Sequence, residues 1–404
     1  MAGETPAAPV ARKKLPALSL LPPGSELKDV MLPRYDTQHR LTSVLKARVL
    51  RLVNADQIQA TAIVIQFFKP DNSPRGRIDL ATAKVDQNKG MLTTQDPVKI
   101  MIDGMNATGT GLTYDLDLGK GFLLGPATTL IKPRPTTAMN TSESPLRAMA
   151  LVGMSLLTQS LLAAPPPAIT EAQLAAMRAD AAPLAPAAEA RAAKATATHA
   201  PDLAASAAAS QAAAAFLVQA DLPPVTPDAP AEEAKPLEIP ADPNNTLISC
   251  DGGVYFDPDE GVLVYLKNVV VKDPRFTLSG ANEVKVFFEK KPVKAGDTKP
   301  EKGMGGNVGA SIGEVERIVA TGILKIDQKP TDGKEPIQAS GAAFFYNLKA
   351  DEVIISGGFP WVRQGARIFS SKKSDNKLRI FPNQSRFDTL GGGWNMSFPV
   401  PPKK

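Results

Sequence analysis

The feature that most constrains this chain is a short turn unit that occurs four times. In each copy an apolar residue and an Asp or Asn precede a polar turn, and an apolar strand then runs into a Gly, Asn or Pro break. The copies are Val85-Asp86 through Gly90-Met91-Leu92 to Pro97-Val98; Tyr114-Asp115 through Gly121-Phe122-Leu123-Leu124 to Gly125-Pro126; Phe256-Asp257 through Gly261-Val262-Leu263-Val264-Tyr265 to Asn268-Val269; and Tyr346-Asn347 through Asp351-Glu352-Val353-Ile354-Ile355 to Gly357-Gly358. A short acidic or amide side chain can hydrogen-bond the backbone two residues on, and glycine supplies positive φ, so each unit has hairpin chemistry. Around these units, residues 57–69, 98–102, 262–271, 318–326 and 353–355 are β-branched or aromatic runs bounded by Gly, Pro, Asn and Asp. Many short strands with turn signals and no helical periodicity predict an all-β sandwich, jelly roll or barrel.

Two copies fall on each side of a central stretch that is a different polymer. Residues 1–137 hold 18 basic and 12 acidic side chains, 138–245 hold 5 and 11, and 246–404 hold 23 and 18. About half of the residues from Ala163 to Ala220 are alanine, with prolines interspersed and few large apolar side chains. Such a stretch buries too little apolar surface to offset its conformational entropy. The alanine run before Phe216 is compatible with a helix, but it offers no apolar stripe to dock. Residues 221–245 read as an extended, acidic, proline-rich spacer. The expectation is a linker over about 165–245, partly helical.

Among 404 residues there are one cysteine, Cys250, and two histidines, His39 and His199. Disulfide scaffolds, thiolate metal clusters and His-rich metal sites are therefore not expected, and neither are the usual nucleophile–histidine hydrolase constellations. No catalytic residue, cofactor or metal is assigned. The lysines are scattered on turns without a basic stripe and interleaved aromatics, which argues against nucleic acid.

At this level the chain resembles a family. Residues 248–289 (ISCDGGVYFDPDEGVLVYLKNVVVKDPRFTLSGANEVKVFFE), 315–325 (VERIVATGILK) and 337–364 (IQASGAAFFYNLKADEVIISGGFPWVRQ) resemble the OstA-type repeats of LptA, a periplasmic lipopolysaccharide-transport protein. Residues 33–131 resemble LptC, its inner-membrane-associated partner, through PRYDTQHRLTSVLKARVLRL and GMNATGTGLTYDLDLGKGFLLGPATTLI. Glu316-Arg317-Ile318-Val319-Ala320-Thr321-Gly322 is the most family-specific stretch. The resemblance implies two open, twisted β-jelly-roll domains whose apolar interiors hold lipid acyl chains, joined by edge-to-edge strand addition. It also implies lipopolysaccharide or lipid A as ligand, an inner-membrane ABC exporter and an outer-membrane translocon as partners, head-to-tail self-association, and a place in the periplasm of a diderm bacterium, with inner-membrane association open.

Strand alternation puts Leu263, Tyr265, Val269 and Val271 on one face, with Leu278, Val284 and Val286 on neighbouring strands; Ile63, Ile65 and Phe67 form the equivalent stripe in the first flank. These ten residues are the candidate lipid groove. Read from periodicity alone they are an ordinary core, and it is the resemblance that turns this core into a proposed groove; a closed, fully packed interior would count against carriage. The cationic flanks suit either head-group phosphates or solubility.

The expected organisation is a flexible segment over 1–30, an LptC-like domain over 31–135, an apolar segment over 139–168, a linker over 169–245 and an LptA-like domain over 246–404. Residues 139–168, with Arg147, an uncharged apolar run and small residues before Pro165, have the layout of a signal peptide. Its position between the two domains reads as the relic of two fused reading frames, with a membrane-associating or docked helix as alternatives. Residues 1–30 make a poor signal or anchor. Residues 303–309 (GMGGNVG) are read as part of a hairpin insertion over about 290–313, not a phosphate loop. The Asp257-Pro258-Asp259-Glu260-Gly261 cluster is read as a turn in preference to a cation site, and Asp115, Asp117, Asp351 and Glu352 as solvated turn acids.

Overall fold

The computed structural model describes residues 21–35, 39–69, 71–102, 104–132, 204–220, 244–258, 260–290, 312–329 and 335–398. The first flank holds β1 (Glu26–Tyr35), β2 (Leu41–Leu52), β3 (Gln57–Phe68), β4 (Pro74–Asp86), β5 (Met91–Ile102), β6 (Met105–Asp115), β7 (Gly121–Leu123) and β8 (Ala127–Ile131). The second holds β9 (Thr246–Cys250), β10 (Val254–Asp257), β11 (Val262–Lys272), β12 (Phe276–Lys290), β13 (Ile312–Gln328), β14 (Ile337–Asn347), β15 (Glu352–Ser356), β16 (Trp361–Gln364), β17 (Arg367–Ser371), β18 (Lys377–Phe381), β19 (Arg386–Leu390) and β20 (Trp394–Ser397). A helix, α1, covers 204–219. All strand pairings are antiparallel and join into one sheet of 20 strands. The all-β jelly-roll class predicted from sequence is the class observed.

Several strands are longer than the short runs predicted, because each serves two layers. Long strands bend near their middle, and the bend uses left-handed residues: Asp29 in β1, Ala62 in β3, Gly111 in β6, Lys267 and Asn268 in β11, Gly280 in β12 and Gly322 in β13. Register shifts mark the same level in β4 and β5, between Leu80 and Lys84 and between Thr94 and Pro97. A bulge or a left-handed residue re-aims a strand without ending it. Beyond the bend the partners change. β6 pairs with β7 through Leu112–Tyr114 but with β8 through Met105–Thr108, and β14 pairs with β15 at one end and β16 at the other. The result is an upper layer, capped by the four repeated turns, over a lower layer containing β8, β9, β16, β17 and β20.

The four turns behave as the sequence predicted. The Asp86 carboxylate accepts from the Asn88 and Lys89 amides, Asp115 from Asp117 and Leu118, Asp257 from Glu260, and the Asn347 side-chain oxygen from Ala350. The expectation that Asp115 is a solvated turn acid fails, because it is buried, and Asp257, read as a turn residue, is buried as well. Asp257 also accepts from the Tyr255 hydroxyl at 3.1 Å and pairs with the Lys120 ammonium at 2.8 Å, so charge and hydrogen bonds offset its burial.

The two flanks meet strand to strand. β7 pairs with β10 in the upper layer and β8 with β9 in the lower, with Ile131 opposite Thr246. Structure begins before the predicted boundary at residue 31, because Glu26–Tyr35 is already β1. The central stretch is described only over 204–220 and 244–245; the signal-like segment at 139–168 and the glycine-rich 303–309 lie outside the described residues.

The expectation that the alanine helix has nothing to dock is wrong. Ala209, Ala213 and Phe216 are buried in one apolar cluster with Met91 and Phe122 of the first flank and Tyr255, Val262, Val264, Phe287 and Val319 of the second. Spacings of four and three residues place these side chains on one helix face. Alanine serves as a docking surface because its small side chain lets helix and sheet backbones approach closely.

The tightest point of the bend is where β12 crosses β13. A Cβ on Gly280 would stand 2.0 Å from the Ile323 carbonyl oxygen, and one on Gly322 2.5 Å from the Gly280 oxygen. Both residues also have positive φ. Gly280→Ala or Gly322→Ala is therefore expected to cost about 2–4 kcal/mol, read as a lower denaturant midpoint with the slope unchanged. Gly392, with nothing within 4 Å of its would-be Cβ, is the control and should change by less than about 0.5 kcal/mol as alanine.

Candidate functional site

The ten groove residues predicted from alternation do share one interior. Ile63, Ile65, Phe67, Leu263, Tyr265, Val269, Val271, Leu278, Val284 and Val286 all belong to a single apolar cluster between the layers, each at most 5% exposed. Their neighbours in sequence, Val262 and Val264, face the other way, toward α1. The two layers touch through aromatic rings. Phe67 of the lower layer meets Tyr114 of the upper at 6.4 Å, and Phe276 of the lower meets Phe344 and Tyr346 of the upper at 5.7 and 5.5 Å. The predicted groove is thus a filled core in this conformation.

A gap remains where the flanks join. A cavity of about 40 Å³ lies between the layers, walled by Phe67, Tyr114, Phe256, Phe288, Met105 and Leu263, with Arg75, Thr129 and Asp257 as polar members. It has room for a few waters and not for a hydrocarbon chain. Of the ten predicted residues only Phe67 and Leu263 line it. Tyr114 and Phe256, which stack at 5.9 Å with an interplanar angle of 20°, were missed. A signal for them was present: in three of the four turn units the residue before the Asp or Asn is aromatic, Tyr114, Phe256 and Tyr346, and strand parity turns each ring inward.

Opposite the bend, the free margins of the two layers are bridged by polar side chains. Arg34, on the lower margin, donates to the Leu116 carbonyl and lies 3.3 Å from Asp117 in an upper turn. Arg275, in the lower β11–β12 turn, bonds both Asp273 oxygens, at 2.8 and 3.2 Å, and reaches Asp351 of an upper turn at 3.7 Å, with its guanidinium 5.1 Å from the centre of the Tyr346 ring. Gln328 and Gln364 donate to the carbonyls of Pro382 and Ser385 at 2.7 and 3.1 Å. Asp351, expected to be a solvated turn acid, instead anchors this margin and accepts from the Asn383 amide at 3.1 Å.

Burial sets the chemistry of the interior. It pushes the Cys250 thiol up to about 11 and the Tyr265 and Tyr346 hydroxyls well above the ordinary phenol value, so all three stay protonated near neutral pH. The Asp273 and Asp351 carboxylates hold Arg275 above its ordinary value, although burial acts in the opposite direction. Among the described residues no group of three His, Cys, Asp or Glu side chains could hold a metal ion, and no helix is long and apolar enough to cross a membrane.

No family model matches the chain, and no curated protein matches it. Among solved structures it is similar to LptH of Pseudomonas aeruginosa, described as the LptA-homologous periplasmic component of the lipopolysaccharide transport device. That likeness is 17% identical, covers 38% of this chain and 95% of that one, and has a TM-score of 0.29.

Removing Arg275 tests the margin. Arg275→Ala leaves Asp273, which is buried, without its charge partner, and a loss of about 2–4 kcal/mol is expected in chemical denaturation. Arg275→Lys should recover only part of it, because an ammonium cannot hold both carboxylate oxygens and the Tyr346 face together. Full recovery by lysine would show that point charge alone closes the margin.

Proposed function

We propose that this chain is a non-enzymatic carrier of lipopolysaccharide or a related glycolipid across the periplasm, taking the acyl chains between its two β layers. The observation that carries the reading is continuity. Because β7 pairs with β10 and β8 with β9, one apolar cluster runs without a break from Ala47 in the first flank to Ile380 in the second. The sequence resemblance of the two flanks to LptC and to the OstA repeats of LptA supports the same cargo, with an inner-membrane exporter and an outer-membrane translocon as the partners on either side.

Carriage from a filled interior requires the layers to part. The Arg34 and Arg275 bridges are the groups that must release, and the junction cavity is where the packing is already incomplete. Each methylene brought out of water contributes about 0.8 kcal/mol, so a twelve-carbon chain brings roughly 10 kcal/mol against the packing it displaces.

A second reading has its own observation. An interior whose predicted groove residues are at most 5% exposed is what an envelope scaffold would have, using its strand edges for association and carrying nothing.

Titration of the full chain with lipid A separates the two. Saturable binding is expected, and the double variant Arg34→Ala/Arg275→Ala should take up lipid A several-fold faster than the parent. A chain that binds no lipid A in either form, while still associating through its edges, would be a scaffold.

A further inference from the structure

We propose that α1 is an in-chain clamp: it docks across the outer face of the junction and keeps the edge strands of the two flanks paired with each other. This goes beyond lipid carriage and holds whatever the interior contains.

The junction needs such a device. The pairing is short, three residue pairs between β7 and β10 and five between β8 and β9. Residues 132–245 connect the flanks and leave beside the point to which they return, Ile131 being opposite Thr246. Short edge pairings are open to competition from other strand edges.

The helix answers this weakness. Phe216 packs on Tyr255 at 5.5 Å between ring centres, and the helix face it belongs to shares one apolar cluster with Met91 and Phe122 of the first flank and Tyr255 and Val264 of the second. A polar pair fixes its register. The Lys285 ammonium donates to the Ser206 hydroxyl at 2.8 Å, and the Ser210 hydroxyl donates to Glu283 at 2.7 Å, while Lys285 and Glu283 pair at 2.9 Å. Four residues of helix rise about 6 Å and two residues of strand about 6.6 Å, so the spacing of the two serines matches that of Lys285 and Glu283 with the helix antiparallel to β12. Lys285 and Ser206 are both buried, and each serine meets one member of the ion pair, so a helix displaced by one turn would lose at least one of these hydrogen bonds.

The chain carries its own reporter. Cys250, the single cysteine, pairs with Ala127 across the β8–β9 seam and does not touch α1. Its thiol, held up to about 11 by burial, is shielded from iodoacetamide while the seam is closed.

In the full-length variant Ala213→Glu/Phe216→Asp, alkylation of Cys250 and hydrogen exchange at the Leu123 and Val254 amides should each speed up at least tenfold. The amides of Ile63 and Ile65 in β3 should keep their protection. Ser206→Ala/Ser210→Ala should shift the same readouts in the same direction by less, and Phe216→Leu should leave them near the parent values. Unchanged Cys250 and seam amides would overturn the clamp. So would equal acceleration in β3, which would mark loss of the whole fold and not of one joint.

Discussion

The structure depends on long strands bending near their middle without losing their ladders. A straight sheet of this composition would leave an apolar face in water; bending each strand at one level makes the same residues build both layers and encloses the interior between them. The cost is local, a left-handed residue per bend of about 1–3 kcal/mol where the side chain is not glycine, as at Ala62 and Asp29. Where β12 and β13 cross most closely only glycine fits, at Gly280 and Gly322. A bent sheet also has no closing strand, so it can be extended at its edge, and the second flank continues the first in this way.

Much of this was legible in sequence, and the rest was not for specific reasons. The Asp and Asn turn residues act locally, through bonds to amides two or three residues on, so the four hairpins could be read directly. Strand parity placed Leu263, Tyr265, Val269 and Val271 on one interior face, even across the bend at Lys267 and Asn268, because β11 and β12 each take one extra residue there and the register recovers. Bends at Ala62 and Asp29 carry no glycine to announce them. The seam was hidden because β7 and β10 are three and four residues long, and short strands have little periodicity. α1 was misjudged because alanine was weighed as a poor hydrophobe, when against a flat strand face its size is what allows contact.

The positive charge of the flanks also reads differently once placed. Weighed from sequence, it was divided between head-group recognition and solubility. Arg34, Lys120, Arg275 and Lys285 instead work inside the molecule, two bridging the free margins, one crossing the seam to Asp257 and one anchoring α1. These four are already engaged within the molecule, so in the proposed carrier a head group would be met by other cations, or by these only after the layers part.

That last possibility joins stability to carriage. In the proposed carrier, an interior that serves as both core and cargo site must exchange its own contacts for those of the ligand, and binding shifts the molecule toward an open state only by as much as the ligand prefers it. Weak packing everywhere would open the interior but leave no stable fold. The layout here divides the tasks: aromatic contacts hold the layers at Phe276, Phe344 and Tyr346, α1 and the seam hold the flanks in line, and a gap in the interior packing lies at the junction between them. Opening can then be local, with the two flanks remaining one continuous body while the margin between Arg34 and Arg275 separates.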